Sequence, residues 1–240
     1  MYYLKNIATI IIVLSIISCE ESDNPLEVTP INATELSNLN QVTDNEGNAY
    51  SVGFDQVSGI NQNPFVKKKD SDGNQIWRVI YENTAVDGRA NLITLDNSGR
   101  PWVIFSVDGG SNSGDYIDKK EVFENAFSNV YMSGYGSGGG AKVSIIARLN
   151  PENGKIEKGS FITARLSSGN TNSLNITKIG FKNDLFAFET STAAWPPYIG
   201  KSFQQFPDIT NADRIENAFK IYYEMKSDLS EVTSAILMTE

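Results

Sequence analysis

The chain has 240 residues, of which 40% are hydrophobic and 10% aromatic, and its formal net charge is −9. That length can bury one good core, while so negative a balance without clustered Lys and Arg argues against a nucleic-acid partner. Histidine is absent and cysteine occurs once, which excludes Ser–His and Cys–His nucleophilic machinery, the usual zinc sites and any intrachain disulfide. Carboxylate chemistry and oxygen-ligand calcium remain open. Aromatic β-formers are plentiful and helical periodicity is scarce, so the expected class is all-β, with no cofactor.

Residues 1–18 read as a targeting segment to be left out of the fold: Lys5 precedes an apolar run, Ile7 to Ile17, that is too short to cross a bilayer. The segment ends in Ile16-Ile17-Ser18-Cys19, which resembles the lipobox of bacterial lipoproteins. The resemblance implies a diacylated Cys19 at the mature N-terminus, a lipid anchor such as palmitate, and an outer-membrane address. The competing reading, an ordinary signal peptide with an incidental cysteine, is weakened because Cys19 is the single cysteine and stands where a lipobox requires it. Glu20, Glu21 and Asp23 resemble the acidic export tags of surface-displayed lipoproteins, with a solvated tether on the periplasmic face as the alternative. Pro25 and Pro30 suit such a tether over 19–37, leaving 38–240 as the folded body.

The body opens on two tandem hairpins. Asp44 to Asn48 and Asp70 to Asn74 are turn sequences: Asp and Asn side chains bond their own backbone, and Gly supplies positive φ. Tyr50, Val52 and Phe54 alternate after the first turn; Phe65 and Val66 precede the second, and Ile76 to Tyr81 follow it. A second copy runs Leu92 to Phe105 around Asp96-Asn97-Ser98-Gly99, then Val143 to Ile156 around Asn150 to Gly154. In the third, Leu174 to Ile179 is expected to pair with Leu185 to Phe188, and Phe219 to Met225 with Val232 to Met238. The units fall at about 38–89, 90–166 and 167–240. Lys67-Lys68-Lys69 alternates faces along a strand and reads as a solvated edge. Asp70-Ser71-Asp72-Gly73-Asn74 has the opening spacing of a calcium loop, but Ile80 and Tyr81 stand where a closing acid belongs, so it reads as a turn and no metal is expected.

Asp44, Gly47, Asn48, Tyr50 and Gly53, followed by Phe65, Val66, Lys67, Asp70, Gly73, Asn74 and Trp77, form a pattern similar to the β-propeller repeat of bacterial secreted and surface proteins. The second copy keeps Asp96, Gly99, Trp102, Arg148 and Gly154. The resemblance implies β-propeller-like units of four antiparallel strands and no shared catalytic apparatus. Propellers close with about four to eight such units, and this chain carries about three. Either Leu26 to Leu39 supplies strands, another chain completes the ring, the sheets pack otherwise, or the chain is a fragment.

Long connections leave each unit between its second and third strands: Asp55 to Pro64, Asp108 to Gly140 and Ser191 to about Asn217. They share one end of the scaffold, where binding commonly resides. In the second, Gly109 to Gly114 precedes an expected short helix capped by Asp118, with Glu121 in capping-box position and Val122, Phe123, Ala126, Phe127 and Val130 as its stripe. Gly134 to Lys142 lacks the Ser or Thr and the strand-to-helix context of a phosphate-binding loop. A second short helix is expected from about Ala212 to Ala218. Trp195, Tyr198, Phe203 and Phe206, with Tyr131 and Tyr135, are the candidate binding residues; the competing reading is a loop folded on its own aromatics. Asp108, Asp115, Asp118, Glu121, Glu189, Asp208 and Asp213 are the carboxylates available to a catalytic pair. The expectation is a membrane-anchored, non-enzymatic binding or scaffold module for a protein or glycan. A carboxylate-dependent glycan-active enzyme, or a subunit of a larger envelope assembly, is the alternative.

Overall fold

A computed structural model describes residues 36–59, 61–81, 88–108, 121–136 and 142–239. The targeting segment, Cys19, most of the tether, Gly109 to Gly114, Asp115, Asp118 and Ser137 to Ala141 lie outside the described residues. The fold is all-β, built on three antiparallel sheets in sequence order. Sheet one holds β2 (Gln41–Thr43), β3 (Ala49–Gln56), β4 (Gln62–Lys69) and β5 (Gln75–Ile80). Sheet two holds β6 (Gly88–Leu95), β7 (Pro101–Asp108), β8 (Lys142–Leu149) and β9 (Ile156–Ile162). Sheet three holds β12 (Asn175–Lys182), β13 (Leu185–Thr192), β14 (Phe219–Met225) and β15 (Val232–Leu237), and β1 (Leu36–Ser37) pairs with β12 as its fifth strand. A small hairpin of β10 (Ala164–Arg165) and β11 (Thr171–Asn172) links sheets two and three.

One turn design is used three times. Asp44 Oδ1 accepts from the backbone N–H of Glu46 and Asn48, and its Oδ2 accepts from the Asn48 amide. Asp70 does the same with Asp72 and Asn74, and Asp96 with Ser98 and Arg100, whose Nε replaces the amide. Each carboxylate thereby fixes a glycine in the left-handed region, at φ +85°, +85° and +75° for Gly47, Gly73 and Gly99. Asp70 is spent on its own turn.

Aromatic rings join the sheets. Between sheets one and two, Tyr81 O–H donates to the Gly154 carbonyl at 2.5 Å and Trp77 Nε1–H to Pro151 at 3.0 Å. Gly154 is required on two counts: its φ is +73°, and a Cβ there would stand 2.8 Å from both Trp77 and Val79. Between sheets two and three, Trp102 stacks on Phe186 with centroids 4.9 Å apart and meets Phe181 edge-on.

The expected helix in the second insertion is replaced by turns. Residues 121–132 run alongside the edge strand β9: Phe123 N–H donates to Ile156, Ile156 to Glu121, Gly159 to Ala126 and Phe161 to Met132. Asn125 and Asn129 take left-handed φ of +63° and +52°, which no helix accepts. Of the expected stripe Ala126 and Phe127 are buried but Phe123 is exposed; unpaired edge groups of β9 offer the backbone better partners than its own carbonyls. The third insertion contains a single 3-10 turn, Asn211–Asp213, capped by Thr210, in place of a helix over Ala212 to Ala218.

Tyr81 and Tyr223 are fully buried, and desolvation raises both phenols well above the ordinary 10.0. Glu121 adds to the first and Tyr131 to the second. A raised folded pKa leaves its stability in place below pH 10 and removes it as pH climbs from 10 toward the folded value, because only the unfolded chain releases the proton. Alkaline titration should therefore show two tyrosinate phases, the later one coincident with loss of near-ultraviolet circular dichroism. A single phase complete before unfolding would contradict the burial of these rings.

Candidate functional site

The six aromatic candidates separate into two groups. Tyr131 and Tyr135 belong to the core and are not surface contacts: both are almost fully buried, with the Tyr135 ring 5.4 Å from Phe161. Their loop position suggested exposure, but the insertion wedges them between sheets two and three. The Tyr131 N–H donates to Leu229 at 2.7 Å and Thr171 Oγ1–H donates to the Tyr135 carbonyl. The Tyr131 hydroxyl finds no hydrogen-bond partner among the described residues, and desolvation pushes it well above the usual tyrosine value.

Trp195, Tyr198, Phe203 and Phe206 are not core residues of this kind. Trp195, Phe203 and Phe206 are partly buried. Tyr198 and Phe206 meet edge-on at 4.7 Å, and the strap carrying them pairs with sheet three, Gly200 with Val232. The loop thus folds partly on its own aromatics. Trp195 exchanges backbone bonds with Arg165 at 2.8 and 2.9 Å, which ties the strap to the β10–β11 hairpin, and its indole N–H donates to Ser167 Oγ at 3.0 Å. The Arg165 guanidinium lies 4.2 Å from the Phe203 centroid, and Arg214 lies 4.6 Å from that of Phe219, which itself packs on Trp195. Neither arginine has an ion pair among the described residues, and the Nε of each is buried without a partner there. Leu166, next to Arg165 in the chain, and Ile199 in the third insertion are exposed. Two unpaired cations, one beside half-exposed Phe203 and one over buried Phe219, are unusual in so acidic a chain, and sequence reading passed over both because no local motif marks them.

Two of the candidate carboxylates have other occupations. Glu189 pairs with Lys178 at 3.0 Å, and Asp213 accepts from Thr210 in the cap of the 3-10 turn. Asp115 and Asp118 lie outside the described residues.

A cleft of about 320 Å³ opens at the opposite end, among the short turns, where sheets one and two meet. Asp44, Glu46, Tyr50, Lys68, Asn97 and Glu152 line it. Lys68 is the informative member: it is a buried cation, 9% exposed, whose ammonium sits 4.9 Å from the Tyr50 ring centroid without an ion pair among the described residues. Burial raises the Tyr50 phenol, against the opposing influence of Lys68. Three lysines in a row reveal nothing of this, because only the register places the middle one opposite Tyr50. No family model matches this chain, and no curated protein matches it.

Proposed function

We propose that the chain is a membrane-anchored extracytoplasmic lipoprotein whose β-propeller-like body is a non-enzymatic binding module. The observation that carries the reading is the patch of Trp195, Phe203, Arg165 and Arg214, at the end of the scaffold from which the long connections leave. Stacked guanidinia are orientated in advance and weakly hydrated, so they bind carboxylates at low ordering cost. The partner class this favours is an envelope protein or glycan that presents acidic groups, with half-exposed rings supplying apolar contact. The lipobox at Cys19 supplies the anchor in this reading.

Two measurements test it. Cys19→Ala should move the protein from the membrane fraction to the soluble fraction. Binding of the mature protein to isolated envelopes should weaken with salt, and Arg165→Ala with Arg214→Ala should weaken it about tenfold or more, as loss of charge-assisted contacts implies. Equal binding by the double variant, with folding intact, would end the proposal for this patch.

A further inference from the structure

The cleft among the short turns comes from a difference between repeats. Tyr50 stands opposite Lys68 across β3 and β4, and Trp102 stands opposite Arg148 across β7 and β8. Asn48 and Arg100 occupy the matching turn positions, each donating from its side chain to the turn aspartate. In the second unit the larger set fills the junction: Trp102 stacks on sheet three, and Arg148 Nη1 reaches across to the Ser227 carbonyl at 3.5 Å. In the first unit each of the three side chains is smaller. Lys68 stays over the Tyr50 ring and reaches no carbonyl of a neighbouring turn among the described residues, and the space beyond it is the cleft.

The lining has a definite chemistry. Lys68 lines the opening; its ammonium carries three donors, and Tyr50 and the nearby Asp44 charge take up only part of that capacity. Glu46 and Glu152 stand on facing turns without ion pairs among the described residues, Glu46 Oε2 accepting from the Asn48 amide at 3.2 Å, and Asn97 and Ser98 add groups that both donate and accept. The Asp44 carboxylate is already taken up by its turn. The opening is at the small end of ligand pockets, which run from roughly 300 to 1,000 Å³.

We propose that this cleft binds a neutral saccharide of one or two rings, with Lys68 donating to a sugar oxygen and Glu46 and Glu152 accepting from sugar hydroxyls. A hydroxyl both donates and accepts, so it satisfies the buried cation and the carboxylates together. An anionic sugar would meet Asp44, Glu46 and Glu152 against one lysine; a cationic ligand would gain from those carboxylates but would set a like charge beside Lys68 and leave its donors unmet. This site is separate from the Arg165 patch and stands or falls independently of it.

The test uses the full-length protein in a sugar-free detergent. Calorimetry and saturation-transfer NMR would be run against glucose, galactose, mannose, N-acetylglucosamine and their dimers, with glucuronate and glucosamine as charged counterparts. At least one neutral sugar should bind, and Lys68→Met should weaken it about tenfold or more. The decisive variant is Tyr50→Trp with Lys68→Arg, which rebuilds the filled junction of the second unit. It should abolish binding while the thermal midpoint holds or rises. The proposal is overturned if nothing in the panel binds, if a charged sugar binds in preference, or if the refilled variant binds like the parent.

Discussion

Replacing Trp102 with alanine is expected to cost the body about 3–5 kcal/mol, the range for emptying a buried large aromatic site. The ring is fully buried and stacks on Phe186, meets Phe181 edge-on and donates from Nε1 to Asp96 at 3.2 Å. Its loss therefore removes the aromatic contact between sheets two and three and takes one of two side-chain donors from Asp96 Oδ2, leaving Arg100 Nε as the other. The Asp96 carboxyl is pushed up by burial, yet bonds from Arg100, Trp102 and Ser98 bring it below its usual value, so that turn also depends on the indole. Domains commonly have about 5–15 kcal/mol in total, so the variant should unfold at a markedly lower urea concentration with an unchanged slope. Tyr50→Ala, at the matching position in the first unit, should cost less, because the vacated space joins an existing polar cleft that water can enter. A Trp102→Ala cost below about 1 kcal/mol, or a larger cost at Tyr50, would show that the junction is held by something other than this stack.

Much of this scaffold is legible from local chemistry. Asp44, Asp70 and Asp96 announce their turns because the same carboxylate that caps the turn also selects the glycine three residues on. Strands follow from the alternation beside those turns, and the three main sheets fall where the repeats place them, the third with β1 as a fifth strand. What failed is whatever depends on non-local partners. The 121–130 stripe has helical spacing, yet its backbone pairs with β9, an edge that appears only once sheet two exists. Tyr131 and Tyr135 look like loop aromatics until the wedge between sheets two and three is known. The cleft was invisible because it is a difference of side-chain size between positions that only register aligns, Tyr50 with Trp102 and Lys68 with Arg148. Arg165 and Arg214 carry no motif; their meaning lies in carboxylates that, among the described residues, do not come near.

One open alternative from the sequence, that residues before the first repeat supply a strand, leads to the second large effect. Leu36 and Ser37 pair with Gly180 and Ile179 on β12, the Leu39 carbonyl accepts from Ile93 N–H on β6, and the Asn40 carbonyl accepts from Val52 N–H on β3. A stretch of a few residues thus touches strands of all three sheets in turn. A body beginning at Gln41 should be less stable than one beginning at Leu26 by about 3–5 kcal/mol: burial of Leu36 contributes roughly 2 kcal/mol and each lost backbone bond about 1 kcal/mol. For a domain of this size that is a drop of roughly 10 °C in Tm. The loss should be uneven. Hydrogen exchange should accelerate most in β12, which becomes a bare edge, while β4 and β5, which make no contact with the removed segment through these bonds, should keep their protection until global unfolding. Uniform acceleration would mean that the segment acts only through total stability. No acceleration at all would mean that Trp102, Tyr131, Arg148 and the strap of the third insertion hold sheet three by themselves, with the N-terminal strand contributing nothing to the join between sheets.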